Sequence, residues 1–335
     1  MRLPLAAIGA LVALVLFASP AAAGPVTLPP AGSPTTTVAA KKDAHLRVWI
    51  VSGLEDGGKL WQLQDGKVSV RGNIRPYVKH QTVLVVIRNA GHRLVAYRVP
   101  VKKGKHGKGR FSASLAVKAS GDALRVFAKH EESDKQKRGQ SKKVRFGAIY
   151  PSVGGGSSGE AVRLLQLGLL DQGYSTPVGG YWDDGTARAV LAFRKVNWLS
   201  RESKADRDVF RRLFHHDGAF RLRSGSPATH VEADLSRQVL VLARDGRAWR
   251  TFTISSGKPS TPTVRGNFSF YRKSPGYNSH GMYYSSYFFG GYAVHGYADV
   301  PATYPASHGC LRTPIPDAHF IYDQISIGEP IYVYS

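Results

Sequence analysis

The hydrophobic period changes twice along this chain, and these changes limit the folds that it can adopt. Between residues 44 and 150, runs such as HLRVWIVS, TVLVVIRN and ALRVFAKH alternate apolar and polar residues, as strands do. Turn-forming segments such as EDGGK and ASGD separate the runs. Several short strands at this spacing predict an all-β sandwich over residues 44–150.

The period then becomes helical. A Gly/Ser linker, residues 151–158, leads into GEAVRLLQLGLLDQGY, where apolar residues recur at the spacing of one helix face. Further helices are expected over GTARAVLAFRK and over ADRDVFRRLF, which has Asp206 near its start. Residues 159–222 therefore predict a small three-helix bundle.

The last segment, residues 229–335, is again mainly β. Strands alternate with turns through HVEADLSRQVLVLARDG, and a short strand YAVHG precedes a helical piece over PDAHFIYDQI and a final strand PIYVYS. The stretch 274–291, rich in Tyr, Gly and Ser, is expected to be a loop. The chain is thus predicted to be multidomain.

The N-terminal residues MRLPLAAIGALVALVLFASPAAAG have the basic start, apolar run and small residues of a cleavable leader. We expect a signal peptide over 1–23 and a Pro/Thr-rich linker over 24–43. A retained membrane anchor is the alternative, although a span needs about 20 apolar residues. The protein is therefore expected outside the cytoplasm, in the cell wall or periplasm.

The charge is strongly positive and unevenly placed. The net charge is +23, and residues 41–150 hold 25 Lys and Arg against 8 Asp and Glu. Such a field attracts polyanions. For an exported protein these are anionic wall polymers or anionic lipid headgroups rather than nucleic acid. A basic module without a specific partner is the alternative.

The single cysteine, Cys310, lies in SHGCLR and cannot form an internal disulfide. A lone thiol in an exported chain is a candidate nucleophile. His308 precedes it by two residues and His295, in the apolar run YAVHG, by fifteen. In an extended segment His308 and Cys310 share a face. Gly309 permits close approach of a substrate, and Arg312 supplies a cation for a carboxylate.

Other interpretations of the cysteine remain open at this point. Cys310 could be a buried apolar residue, since free cysteines often are. A zinc site of His295, His308 and Cys310 is conceivable, but structural zinc usually has four ligands. We therefore expect neither a metal nor a cofactor.

The motif SHGCLR, preceded by VHG and ISSGKPSTPTVRGNF, resembles the L,D-transpeptidase catalytic domain of peptidoglycan synthesis over residues 229–335. One extra residue in the Thr-Pro-x-x-Gly-x-Phe turn departs from the family pattern. The resemblance implies that Cys310 is the nucleophile and His295 the general base.

The resemblance also implies roles for the neighbouring residues. His308 would orient the site or face the substrate, and Ser307 would order the motif. The amides of Gly309 and Cys310 would bind an oxyanion, and Arg312 would hold the motif or the donor peptide. Three tyrosines lie in the stretch that covers the site in this family, or else simply pack: Tyr283, Tyr284 and Tyr287.

Two further resemblances concern the other segments. Residues 159–222 resemble a peptidoglycan-binding three-helix module, with Arg194 where that family usually has Gln; a spacer that no longer binds is the alternative. Residues 44–150 resemble an immunoglobulin-like module in layout only.

Together these features predict an exported enzyme that forms 3→3 peptidoglycan cross-links through a Cys310 thioester. The enzymatic alternatives are an L,D-carboxypeptidase and a protein-to-wall attachment enzyme. The alternative of another class is a non-catalytic wall-binding protein.

Overall fold

A computed structural model describes residues 40–335 of the protein. The expected signal peptide, 1–23, and most of the expected Pro/Thr-rich linker, up to residue 39, lie outside the described residues. Within residues 40–335 the protein is mainly β, with four α-helices. None of these helices is long and apolar enough to cross a membrane.

Residues 44–150, called here the β module, contain eleven strands. They are β1 (His45–Ile50), β2 (Leu54–Asp56), β3 (Lys59–Leu63), β4 (Lys67–Arg75), β5 (Thr82–Asn89), β6 (His92–Pro100), β7 (Lys102–Lys103), β8 (Gly109–Ala116), β9 (Gly121–His130), β10 (Gly139–Gln140) and β11 (Val144–Ile149). One sheet has the order β1-β4-β8-β7 and the other β2-β3-β11-β9-β5-β6, with β10 on β9.

The alternation of apolar and polar residues in the sequence matches the alternation of buried and exposed residues along the strands. In β4, Val68, Val70 and Ile74 are fully or almost fully buried, while residues at the alternate positions, such as Arg71 and Asn73, face outward. Apolar residues from both sheets meet in one core, so each sheet keeps a polar outer face.

Residues 159–222, the helical module, contain three helices: α1 (Glu160–Asp171), α2 (Asp184–Val196) and α3 (Arg207–Phe214). Asp206 caps α3 by accepting from the N–H groups of Asp208 and Val209, in line with the sequence pattern. Buried Arg194 donates to the Ser200 and Lys204 carbonyls and to Asp206, and so holds the α2–α3 connection.

The C-terminal domain, residues 229–335, has two sheets and one helix. Its elements are β12 (His230–Asp234), β13 (Val239–Arg244), β14 (Arg247–Thr253), β15 (Gly266–Ser269), β16 (Arg272–Tyr277), β17 (Tyr283–Phe289), β18 (Tyr292–Tyr297), β19 (Leu311–Pro314), α4 (Ile315–Gln324) and β20 (Pro330–Tyr334). The sheets have the orders β14-β13-β12-β20-β15 and β16-β17-β18-β19. A core of Val, Leu, Ile and Phe side chains lies between them.

The stretch 274–291 is not a loop, and that expectation is wrong. It forms most of β16 and β17, and β17 pairs with both β16 and β18. The register of β17 shifts on both sides, which hides the simple alternation of a strand. Tyrosine is itself a strong strand former.

The helical module packs directly on both neighbours. One buried cluster joins Leu54 and Trp61 of the β module to the three helices and to Val239 and Val241 of β13. In the Gly/Ser segment, residues 151–158, Val153 is buried and exchanges two backbone hydrogen bonds with Ala205. The helices are therefore held against the C-terminal domain by a shared core.

Candidate active site

Two neighbouring parallel strands carry the predicted catalytic residues. In the β18–β19 ladder, Val294 is opposite Leu311 and His295 opposite Arg312. This register sets Cys310, one residue before β19, beside the start of β18. The Cys310 thiol hydrogen-bonds the Gly291 carbonyl at 3.7 Å and contacts the Ala293 backbone. Ala293 is two residues from His295, a separation of about 7 Å along a strand.

The side chain of His295 faces away from α4. A methyl group on the next residue, Gly296, would lie 2.6 Å from the Ala318 side chain of α4. Successive residues of a strand point to opposite faces, so His295 points to the other side of the sheet. There its ring meets Tyr297 edge-to-face, with the centroids 5.8 Å apart.

The tautomer of His295 follows from one hydrogen bond. Its Nδ1 lies 2.9 Å from the Gly296 carbonyl oxygen, which can only accept, so Nδ1 carries the proton. The side chain is 3% exposed, and burial lowers the pKa of the imidazole to about 4, with the Arg312 charge acting in the same direction. At neutral pH His295 is therefore uncharged, and its Nε2 lone pair is able to take a proton.

The thiol of Cys310 is in its neutral form as well. Burial raises the pKa of Cys310 above its ordinary value, against the Ala293 backbone hydrogen bond and the Arg312 charge, which lower it. The resting pair is therefore a thiol and an imidazole rather than a thiolate and an imidazolium. A proton transfer to His295 would create the nucleophile at the moment of attack.

The positive charge of Arg312 lowers the pKa of both His295 and Cys310. Arg312 is 9% exposed, and its guanidinium stacks 4.0 Å from the centre of the Tyr297 ring and points toward the Asp299 carbonyl. Its backbone exchanges two hydrogen bonds with Ser255. Arg312 is thus a braced part of the framework, and its positive charge favours the thiolate form of the cysteine.

Ser307 and Gly309 shape the turn before Cys310. The hydroxyl of Ser307 donates to the Cys310 carbonyl at 2.6 Å and accepts from the Gly309 N–H at 3.0 Å. Gly309 has φ +115°, and a methyl group there would lie 2.3 Å from the Tyr292 ring. The Gly309 amide is therefore already engaged, which leaves the Cys310 amide as the predicted oxyanion donor.

His308 and Cys310 do not share a face. That expectation assumed an extended segment, whereas residues 307–310 form a turn that the positive φ of Gly309 makes possible. His308 is exposed and contacts Lys258, with 3.1 Å between Nε2 and Nζ. The structure therefore directs the two side chains to different partners.

The three tyrosines lie in different surroundings. Tyr284 packs on His319 and Tyr322 of α4, on the face of the sheet opposite to His295. Tyr283 stacks on Tyr277, and a methyl on Gly296 would approach it on the α4-facing side of β18. Only Tyr287, which is paired with Ala293 in the β17–β18 ladder, lies beside the strand position that the thiol contacts.

A segment that the sequence identifies only as part of the family motif supports the turn. Residues 255–263 follow β14 and run beside the SHGCLR motif: Ser307 donates its N–H to the Ser256 carbonyl, and its own carbonyl accepts from the Lys258 N–H and the Thr261 hydroxyl. Several consecutive small polar residues in ISSGKPST were the available signal.

Further hydrogen bonds connect this segment to the helical module. The Gln238 side chain donates to the Ser256 hydroxyl and accepts from the Ser256 N–H. The backbone carbonyl of Gln238 accepts from the Lys195 ammonium of α2. The Lys195 ammonium also contacts Thr253 and donates to the Ile254 carbonyl at 3.1 Å. Burial, with a smaller contribution from the Arg201 charge, lowers the pKa of Lys195 to about 7. Nothing in the sequence pattern of α2 distinguishes Lys195 from a solvated lysine.

Among residues 40–335, no group of three or more His, Cys, Asp or Glu side chains is placed to hold a metal ion. The arrangement of Cys310, His295 and the polar turn suits nucleophilic acyl transfer by the thiol.

Known proteins share this domain. Residues 228–333 match the YkuD family, the L,D-transpeptidase catalytic domain. The crystal structure of an L,D-transpeptidase from Xylanimonas cellulosilytica is 32% identical, with a TM-score of 0.52, over 56% of this chain and 98% of that chain. L,D-transpeptidase 1 of Mycobacterium tuberculosis is 29% identical over 30% of this chain, and the match spans only 48% of that relative.

Proposed function

Because residues 228–333 belong to the L,D-transpeptidase catalytic-domain family, whose members are cysteine-dependent acyltransferases, we propose that this protein cross-links peptidoglycan stem peptides through Cys310. One observation carries the proposal. The only thiol of the chain contacts the backbone of the strand that holds buried, neutral His295, two residues away.

The proposed first half-reaction forms a thioester. His295 Nε2 takes the proton of Cys310 Sγ while the sulfur attacks the carbonyl carbon between the third and fourth residues of a tetrapeptide stem. The carbon–nitrogen bond then breaks, and the imidazolium returns its proton to the departing amino group of D-Ala. The Cys310 N–H is proposed to stabilise the oxyanion.

The second half-reaction sets the product. The side-chain amine of the third residue in another stem attacks the thioester carbonyl and passes a proton through His295, which restores the thiol and leaves a 3→3 cross-link. Water in place of the amine would make the protein an L,D-carboxypeptidase, and a protein amine would make it a protein-to-wall attachment enzyme.

The proposed role of the helical module is to hold peptidoglycan beside the catalytic domain. Arg188 of α2 makes two hydrogen bonds to Asp317 of α4, at 2.9 and 3.0 Å, and Lys195 reaches the residues beside the catalytic turn. A wall polymer held by these helices would remain at a high local concentration near Cys310. We assign the excess charge of the β module to anionic wall polymers, in an extracytoplasmic protein.

Intact mass spectrometry with a tetrapeptide muropeptide tests the chemistry. We expect the wild-type protein to gain a tripeptide acyl group, and Cys310→Ala to gain none. We expect His295→Ala to acylate about 10²–10⁴ times more slowly. His319→Ala is the matched histidine control, because His319 packs against Tyr284 on the other face of the sheet.

The molecule that accepts the acyl group distinguishes the proposed transpeptidase from its alternatives. An amine-bearing stem should remove the acyl group from the wild-type protein and yield a cross-linked dimer. Hydrolysis alone would indicate the carboxypeptidase, and transfer only to a protein amine would indicate the attachment enzyme. An unmodified wild-type protein whose thiol still titrates would be a non-catalytic wall-binding protein.

A further inference from the structure

A cavity of about 700 Å³ opens on the β module. It is lined by residues of β1, β4, β6, β7 and β8 and the β7–β8 turn. Five of the lining side chains are cationic and none is acidic; the cations are Arg71, Lys102, Lys103, Lys108 and Arg110. None of the catalytic candidates contributes to it.

A second cavity of about 490 Å³ continues the first. The two share Asn73 and Lys108, and the second adds Arg47, Arg75 and Lys142, again without an acidic residue. The two cavities together are called here the cationic groove. Eight Lys and Arg side chains therefore line one continuous depression.

Strand register explains why these cations meet. Arg71, Asn73 and Arg75 alternate along β4 with buried residues, so they share the outer face of the sheet. Across the ladders, Arg47 is opposite Asn73, and Asn73 is opposite Arg110. Arg110 is in turn opposite Lys102 in the β7–β8 ladder, and neighbouring strands are about 4.8 Å apart, so these two like charges are held close together.

Within residues 40–335, no acidic side chain forms an ion pair with a cation of the groove. Six of the eight acidic residues between positions 41 and 150 are paired, and all with cations outside the groove: Lys41, Lys59, Arg98, Lys118, Lys137 and Arg163. Residues 1–39 contain neither Asp nor Glu, so they hold no acidic side chain that could enter it. A row of close, unpaired cations is stabilised by an external polyanion.

The groove also offers an aromatic surface. Trp49 is opposite Arg71 in the β1–β4 ladder and is 42% exposed, although its indole is large and apolar. A flat ring with one N–H donor packs well against the apolar face of a sugar ring. Arginine forks bind carboxylates and phosphates with two hydrogen bonds, and Asn73 can bind hydroxyl groups.

We propose that the cationic groove binds a linear anionic polysaccharide whose repeating unit carries a carboxylate or phosphate. The concave shape and the aromatic wall suit a single carbohydrate chain. This inference deepens the proposed wall-polymer role of the β module. Acyl transfer to a soluble muropeptide does not use the groove, so failure of one proposal is distinguishable from failure of the other.

The test measures dissociation constants of the purified full chain at 50 and 200 mM NaCl. The probes are polygalacturonate for carboxylates, a linear poly(hexose phosphate) for phosphates, neutral dextran, and duplex DNA. We expect binding to at least one of the first two probes, weakening at the higher salt concentration, and none to dextran. The probe that binds identifies the anionic group that the groove recognises.

Two variants and a matched control locate the site. Arg71→Ala/Arg110→Ala should weaken binding about tenfold and reduce its salt dependence. Lys79→Ala/Arg93→Ala removes the same charge from exposed positions outside the groove and should change binding by less than about twofold. Trp49→Ala should weaken polysaccharide binding and leave DNA binding unchanged. Acyl transfer to soluble muropeptide should be unaffected in all three variants.

Three results would overturn the inference. The first is equal weakening by the control pair, which would indicate a diffuse field rather than a site. The second is tighter binding of duplex DNA than of either polysaccharide at the same salt concentration. The third is an unchanged affinity of Trp49→Ala for the polysaccharide that binds the wild-type protein.

Discussion

The protonation states of Cys310 and His295 lead to a prediction about the pH dependence of thiol reactivity. The pKa of Cys310 is raised from 9.0, so at pH 7 fewer than about one thiol in a hundred is ionised. With a pKa of about 4, roughly one His295 ring in a thousand carries a second proton at pH 7. We therefore expect the resting protein to hold a thiol and an imidazole rather than a preformed thiolate–imidazolium pair.

The rate of alkylation by iodoacetamide measures this directly. The chain has one cysteine, so the intact mass reports a single site. We expect the rate to rise about tenfold per pH unit from pH 6 to 8, without a plateau below pH 9, because only the thiolate reacts. His295→Asn should change alkylation at pH 8 by less than about threefold, while acyl transfer falls about 10²–10⁴-fold, because only acyl transfer needs the base.

A plateau with an apparent pKa between 5 and 7 would refute this reasoning. If that plateau also disappeared in His295→Asn, the resting site would hold an ion pair. The burial of the two groups would then not control their protonation. His319→Asn serves as the control that keeps the wild-type profile, because His319 lies on α4.

Three further changes test the supports of the site. Gly309→Ala puts a methyl group 2.3 Å from the Tyr292 ring at a φ of +115°, so acyl transfer should fall at least about tenfold. Gly291→Ala is the control, because its methyl group meets nothing within 4 Å, and it should keep most of the activity. Equal losses in the two variants would contradict the steric argument. Ser307→Ala removes two hydrogen bonds and should lower the free energy of unfolding by about 1–3 kcal/mol in urea titrations, whereas an unchanged midpoint would show that the turn forms without them. Lys195 has a folded pKa of about 7 against 10.5 when unfolded, so the wild-type protein should lose up to ~5 kcal/mol as the pH falls from 10.5 through 7. Lys195→Met should lack that slope in unfolding measurements at pH 7 and 10, and parallel curves for the two proteins would contradict it.

Much of the β module and the helices was predictable because their signals are local. The run HLRVWIVS contains β1, TVLVVIRN is β5, and ALRVFAKH is β9 without its first two residues, since alternation follows from the two faces of a strand. Asp206 marked the start of α3, because a cap acts within one turn. The stretch 274–291 lacks such a local signal, because its strands depend on a shifted register with their neighbours.

The sequence by itself determined which residues are candidates for the chemistry. Cys310 is the only thiol, and the SHGCLR and VHG motifs identified it and His295 without knowledge of any long-range contact. Tertiary structure decided their protonation, because desolvation depends on everything packed around a group. It also decided that Tyr284 faces α4 and that Lys195 supports the catalytic turn. It further brought cations from separate strands into one groove, because contacts between residues distant in the chain exist only once sheet register and packing have formed.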